Sequence, residues 1–288
     1  MSEPKGALLL GTEDVGKLLR KYATPAIIAM TASSLYNMID SIFIGQGVGP
    51  MAISGLAITF PFMNLGAAIG AMVGVGASTV TAMELGKKNY EKSCRALANT
   101  VMLNIFFGII FTVVCLAFLK PILFFFGASE NTLPYAYEYM QVILLGNIIT
   151  HLYHGLNSVL RASGHPNEAM IATIITVVAN VFLDWLFIFP LDMGIRGAAI
   201  ATVLAQTLPL IYLFKIFMNK NELVHFDRKD FVFDIKIIKD ILAIGLSPFL
   251  LNSALCVIII LINNGLKRYG GDLSVGAYGI VNRVAFFF

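Results

Sequence analysis

The stretch LYNMIDSIFIGQGVGPMAISGLAI, at residues 35–58, carries the clearest structural signal in the chain. Two apolar runs flank the uncharged connection GQGVGP, and Asp40 is the only charged residue in the stretch. Followed outward, the runs cover about residues 24–45 and 51–80, and each is long enough to cross a bilayer as a helix. The stretch therefore predicts two membrane-spanning helices joined by a short turn.

The composition of the whole chain agrees with contact with lipid. Of the 288 residues, 58% are hydrophobic and 13% are charged, whereas soluble domains average about 45–50% and about 25%. So little charge does not cover a water-facing surface of this size, which excludes an ordinary soluble domain. The net charge of +3 without a clustered basic face excludes nucleic acid as a partner.

Further apolar stretches predict an all-α, polytopic membrane protein. They lie at about 96–119, 134–158, 168–190, 194–218, 241–264 and from 274 onward. The connections alternate in charge, so that one side of the membrane collects 15 of the 20 Lys and Arg residues. By the positive-inside rule this side is cytoplasmic and includes the N-terminus. We expect a multi-pass protein of the inner (plasma) membrane without a cleavable signal peptide.

The polar segment 219–240 is the one long connection, and it divides the chain. We predict a six-helix lobe at 1–218, a cytoplasmic linker at 219–240 that ends in an amphipathic surface helix, and the start of a second lobe at 241–288. A shift of 223 residues aligns Pro25 with Pro248 and Asp40 with Asn263. Because six spans precede it, the second lobe is a parallel repeat, and two complete lobes require twelve helices. The final AFFF falls inside the eighth span, so we expect a truncated chain.

Two carboxylates lie deep within the first six spans. Asp40 lies roughly 7 Å from the outer end of the first span, and Asp184 lies about six residues from the outer end of the fifth. Asn180 precedes Asp184 by one helical turn, and Thr202 lies at a similar depth in the sixth span. Charged residues inside spans usually mark function. The alternative is that these groups satisfy only hydrogen bonds between helices.

Carboxylate, amide and hydroxyl oxygens suit a hard cation such as Na⁺. A carboxyl group removed from water also holds a proton readily. The residues therefore predict a cation site for Na⁺ or H⁺, and they do not distinguish the two. Apart from Na⁺ at this site we expect no metal and no cofactor.

Some of the other polar groups within the spans are expected to line a wet cavity. They are Asn37, Asn64, Tyr139, Asn147, Asn157, Gln206 and Asn252. Pro25 weakens the first helix, which predicts either a bend that responds to Asp40 or a static kink. The widely spaced Cys94, Cys115 and Cys256 are expected to be packing residues. The chain has no phosphate-binding loop and no hydrolase motif, so we expect no enzyme.

Several motifs together resemble one transporter family. They are the stretch at residues 35–58, LRASGHPNEAM after the fourth span, NVFLDWLFIF in the fifth and GIRGAAIATVLAQ in the sixth. Their order is similar to that of the multidrug and toxic compound extrusion (MATE) transporters. The resemblance implies twelve helices in two six-helix lobes around a central chamber.

The resemblance also implies roles for individual residues. Asp40, Asn180, Asp184 and Thr202 match the family's coupling-ion positions, and Pro25 matches the proline linked to helix bending. Tyr139 and Asn157 fall near chamber positions, and we add Asn37 and Gln206 to this set.

The implied function is export of organic cations by antiport against Na⁺ or H⁺, by a monomer. The alternatives are a flippase for lipid-linked saccharides, which requires a cationic chamber, and a membrane scaffold or receptor, which requires no paired acids.

Overall fold

A computed structural model describes residues 14–285 of the chain as a bundle of α-helices. The helices are α1 (Val15–Gly47), α2 (Pro50–Gly86), α3 (Tyr90–Ala117), α4 (Leu119–Phe125), α5 (Leu133–Leu145), α6 (Asn147–Ala162), α7 (Pro166–Ile188), α8 (Gly194–Phe217) and α9 (Ile235–Ala285), with a 3₁₀ turn at Arg228–Asp230. Residues 1–13 of the predicted cytoplasmic tail and residues 286–288 of the predicted eighth span lie outside the described residues.

Local sequence signals fix the helix starts. The Asp14 carboxylate accepts hydrogen bonds from the backbone N–H groups of Gly16 and Lys17, at 3.0 and 3.4 Å, and so caps α1. Pro50 and Pro166 occupy the first turns of α2 and α7, where a missing N–H costs nothing. Asn89 caps α3 by accepting from the N–H of Lys92.

Among the described residues, six helices are long and apolar enough to cross a membrane: α1, α2, α3, α7, α8 and α9. The predicted fourth span is present as α5 and α6, which meet at Gly146. The Thr112 hydroxyl on α3 donates to the Leu144 carbonyl at 2.9 Å, and this satisfies a carbonyl group near the break. The chain is therefore a multi-pass, all-α membrane protein, as the sequence predicts.

The seventh and eighth predicted spans form the two parts of α9, on either side of Gly271. The φ of 73° at Gly271 is a left-handed conformation that suits glycine. The α9 helix already begins at Ile235, within the predicted linker. The predicted surface helix is thus continuous with the seventh span, because apolar residues such as Ile237 and Ile241 are fully buried against the bundle.

Helix α2 lies at the centre of the bundle and packs on both sides through glycines. A Cβ at Gly70 would lie 3.2 Å from His151 of α6, and one at Gly74 would lie 3.2 Å from the Gly155 Cα. On another face, Gly76 of α2 and Gly245 of α9 each lie directly against backbone of the other helix. These small residues allow the helix axes to approach closely.

The predicted linker before α9 docks on the N-terminal part of α3. The Asn99 side chain donates to the Val232 carbonyl at 3.2 Å and accepts from the Asp234 N–H at 3.3 Å. The Cys94 thiol lies 3.7 Å from the Leu223 carbonyl. Cys94, Cys115 and Cys256 are all buried and free, as expected for packing residues.

Candidate functional site

Three helices bring the predicted coupling residues to one buried place. Asp40 comes from α1, Asn180 and Asp184 come from α7, and Thr202 comes from α8. Their exposed fractions are 3% for Asp40 and 0% for Asp184. Both carboxyl groups are thus removed from solvent, in helices that also contact each other.

One hydrogen bond and one charge interaction connect residues of this site. The Asn180 side-chain amide donates to the Thr202 hydroxyl at 3.4 Å. Asp184 and Asp40 lie close enough for their charges to interact. Two ionised carboxylates in one buried place repel each other, so a proton on one of them or a cation beside them stabilises the pair.

Four buried oxygens at the site have no hydrogen-bond partner among residues 14–285. They are Asp40 Oδ1, Asn180 Oδ1, Asp184 Oδ1 and Asp184 Oδ2. A buried oxygen without a partner costs about 1–3 kcal/mol, and more when it is charged. Carboxylate and amide oxygens are ligands for a hard cation such as Na⁺, and either carboxylate also accepts a proton. The residues present therefore fit the cation that the sequence predicts.

Arg283 is a fifth member of the site, and none of the sequence motifs predicts a role for it. Its Nη1 atom lies 3.6 Å from Asp40 Oδ2 and donates to the Asn37 carbonyl at 3.2 Å. It also donates to the Ser41 hydroxyl. A lone arginine inside an apolar span is itself a signal for a buried acidic partner, and Arg283 lies inside the predicted eighth span.

The predicted chamber residues are divided among different surroundings. Tyr139 is 1% exposed and lies close enough to Asp40 to interact with its charge. Asn37 is half-buried, and its amide donates to the Ser33 carbonyl at 2.9 Å. Asn157 instead donates to Thr173 at 3.3 Å, and Gln206 accepts a hydrogen bond from Thr150. Tyr139 is therefore the one of the four with an interaction with the acids, and Asn37 contacts the site through its backbone carbonyl, which accepts from Arg283.

Pro25 lies within α1, which is continuous from Val15 to Gly47, and its side chain is buried. It stands about four helical turns from Asp40.

His151 is fully buried, and its Nε2 lies 2.8 Å from the Gly66 carbonyl. The Nε2–H group therefore donates a hydrogen bond to that carbonyl. Within the described residues, no group of three or more His, Cys, Asp or Glu side chains is arranged to hold a metal ion.

The chain is similar to proteins that are named as multidrug transporters. The chain is 28% identical over 271 residues to the multidrug export protein MepA of Staphylococcus haemolyticus, a match that covers 94% of this chain and 60% of MepA. It superimposes with a TM-score of 0.91 and 33% identity on the MATE multidrug transporter DinF-BH, solved in complex with R6G, over 99% of this chain and 64% of that one. An inward-facing multidrug resistance MATE transporter of the MOP superfamily gives a TM-score of 0.83 at 28% identity, over 87% of this chain and 57% of that one.

The chain thus spans about 60% of the length of the curated relatives that it matches. The MatE family profile matches residues 25–186, more than half of the chain, and this range includes Asp40, Asn180 and Asp184. The motifs noted in the sequence, the all-α bundle and the profile agree, and the chain belongs to the MATE family.

Proposed function

We propose that the chain is the greater part of a secondary transporter that exports organic cations by antiport against Na⁺ or H⁺. The observation that carries this proposal is the buried pair Asp40 and Asp184. Three of their four carboxylate oxygens have no hydrogen-bond partner among the described residues. A site with this charge attracts one small cation or an organic cation. Because each cation weakens the binding of the other, entry of Na⁺ or H⁺ down its gradient displaces the organic cation and is thereby coupled to its export.

The relatives support the substrate class. One of them is named a multidrug export protein, and another was solved with R6G. On this basis we infer that small organic cations are the substrates of this chain. We also infer an inner-membrane location with a cytoplasmic N-terminus, from the charge asymmetry of the connections, and a monomeric transporter without a cofactor.

We also infer that the chain is divided into a first lobe at 1–218, a linker at 219–240 and a second unit at 241–288. The docking of Asn99 on the linker supports it, since the linker is held to the first lobe before α9 begins its course across the membrane. We further infer that Pro25 is the point at which α1 bends during transport.

The proposal is tested by cation binding to the purified chain. Saturable binding of ²²Na⁺ is expected for Na⁺ coupling, and an ethidium affinity that rises with pH is expected for H⁺ coupling. Asp184→Asn should abolish whichever of the two the wild-type chain shows. If the wild-type chain shows neither behaviour, or if Asp184→Asn retains it, the proposal is wrong.

The flippase alternative requires a free cationic group for an anionic head group. The buried arginine of the described site, Arg283, already faces the Asp40 carboxylate. This pairing favours a cationic ligand over an anionic one.

A further inference from the structure

Arg283 makes contacts with two turns of α1 at once. Its Nη1 atom reaches the carboxylate of Asp40, the carbonyl of Asn37 and the hydroxyl of Ser41. All three contacts come from this one nitrogen, and a charged donor that makes several contacts is held firmly. The second part of α9 is thereby attached to α1 at the coupling site.

The guanidinium group also contacts a second helix, α2. The Cζ atom of Arg283 lies 5.7 Å from the centre of the Phe60 ring of α2, a geometry in which the ring face attracts a cation. Arg283 is 8% exposed, so most of its charge is compensated by protein groups and not by water. A cation in this place costs several kcal/mol of hydration unless it has an acidic partner.

The two acids of the site are therefore not equivalent. Asp40 has Arg283 as its counter-ion, whereas neither oxygen of Asp184 has a partner among the described residues. A small cation or a proton meets an unpaired carboxylate at Asp184. An organic cation that approaches Asp40 meets a carboxylate that is already neutralised.

The structure leaves room for the guanidinium group to move away. Arg283 also lines an open groove of about 390 Å³. Its wall is mostly apolar, with Met38, Ile42, Ile53, Ile280 and Val284, and it also includes the polar Ser41 and Gln46. Because Arg283 already borders this groove, a change of side-chain rotamer would move the guanidinium group toward the polar Gln46 without unfolding of either helix.

We propose that Arg283 is a tethered cation that occupies Asp40 until an organic cation displaces it. Arg283 then acts as a specificity-determining residue, because only cations that compete with a held guanidinium group gain access to Asp40. Displacement also frees α9 from α1, so that ligand binding changes how the two helices are attached. The inference about organic cations rests on the proposed function.

The first test is chemical rescue, and it needs no transport substrate. Thermal unfolding is followed with a thiol-reactive dye, since the three cysteines are buried and free. Arg283→Ala should lower the unfolding midpoint by on the order of 5–10 °C. Millimolar guanidinium should restore it in Arg283→Ala, but not in the double variant Arg283→Ala, Asp40→Asn, and it should not affect the wild-type chain. Equal responses of the single and double variants would overturn the proposal.

The second test measures ethidium affinity by fluorescence. Arg283→Ala should bind ethidium at least about tenfold more tightly than the wild-type chain, and the gain should disappear when Asp40→Asn is added. If Arg283→Ala does not fold, Arg283→Lys decides, because a lysine side chain is shorter than an arginine side chain, holds Asp40 less tightly and should give a smaller gain. The exposed Arg268 serves as control, since Arg268→Ala should leave the affinity unchanged.

An unchanged affinity in Arg283→Ala, or in Arg283→Lys where the alanine variant does not fold, would contradict displacement. If ethidium binds no variant at all, the proposed function is wrong, and the guanidinium experiment decides the role of Arg283 by itself.

Discussion

The side-chain amide of Asn180 on α7 donates a hydrogen bond to the hydroxyl of Thr202 on α8, with an N–O distance of 3.4 Å. Because the amide nitrogen is used in this way, the oxygen Oδ1 is the remaining polar atom of Asn180. That oxygen is buried and has no partner among the described residues. Thr202 thus orients Asn180 so that an acceptor, and not a donor, is available beside Asp184.

Replacement of Thr202 tests this orientation. Thr202→Val keeps the shape but leaves the amide donor of Asn180 without an acceptor, which costs about 1–3 kcal/mol. We expect the amide to turn and the affinity of the site for its cation to fall by roughly tenfold or more. Thr202→Ser keeps the hydroxyl and should retain the wild-type affinity. The measurement is ²²Na⁺ binding, or the pH dependence of ethidium binding; a wild-type value for Thr202→Val would refute the orienting role.

The docking of the linker depends on Asn99. Asn99→Ala leaves the Val232 carbonyl and the Asp234 N–H without their side-chain partner, at a cost of about 1–3 kcal/mol for a buried group. Limited proteolysis should then cut the segment between α8 and α9 several-fold faster. Asn221 is exposed in the same segment, and Asn221→Ala should leave the cutting rate unchanged. Equal rates for all three chains would show that Asn99 does not hold the linker.

The close approach of α2 and α9 requires glycine at Gly76. A side chain there would meet the backbone carbonyl of Ile241, which has little freedom to move. We expect Gly76→Val to destabilise the bundle by about 1–3 kcal/mol, seen as a lower unfolding midpoint in detergent. Gly86 at the end of the same helix has open space around its Cβ position. Gly86→Ala should therefore be neutral, and a neutral Gly76→Val would contradict the packing described.

Asp230 gives the linker a pH dependence. Burial raises the pKa of Asp230 above its usual range, although the neighbouring Lys229 partly opposes this. A carboxyl group with a raised pKa in the folded state binds its proton more tightly there than in the unfolded chain. Its contribution therefore favours the folded state as the pH falls through the folded pKa and is lost as the pH rises above it.

We expect Asp230→Asn to remove this dependence and to raise the unfolding midpoint near neutral pH. The measurement is thermal unfolding from about pH 4, near the usual pKa of an aspartate, up to about pH 7. A midpoint for Asp230→Asn that changes with pH as in the wild-type chain would assign the dependence to another group.

Much of the candidate site could be predicted from the sequence because its signals are local. Asn180 and Asp184 are one turn apart on one helix, so their common face follows from helix geometry. The depths of Asp40 and Thr202 follow from their distance to the ends of the apolar runs. These residues were predicted together, and the structure places them in one buried cluster.

The partner of Asp40 could not be predicted from the sequence in the same way. Arg283 reaches Asp40 only because the second part of α9 packs near α1, and no local periodicity encodes that contact. The break at Gly146 was missed for a similar reason, since residues 134–158 read as one continuous apolar run. Contacts with Thr112 and Val203, which are distant in sequence, accompany the break.

Ethidium efflux from cells under imposed Na⁺ or pH gradients addresses the coupling role of Asp184 in transport itself. Because the chain covers 60% of the S. haemolyticus relative, it is expressed as a chimera completed with the remaining length of that relative. We predict gradient-dependent efflux that Asp184→Asn abolishes and that Asp192→Asn, at an exposed left-handed position which asparagine accepts, retains. Undiminished gradient-dependent efflux in Asp184→Asn would contradict the assignment of this buried site as the coupling site.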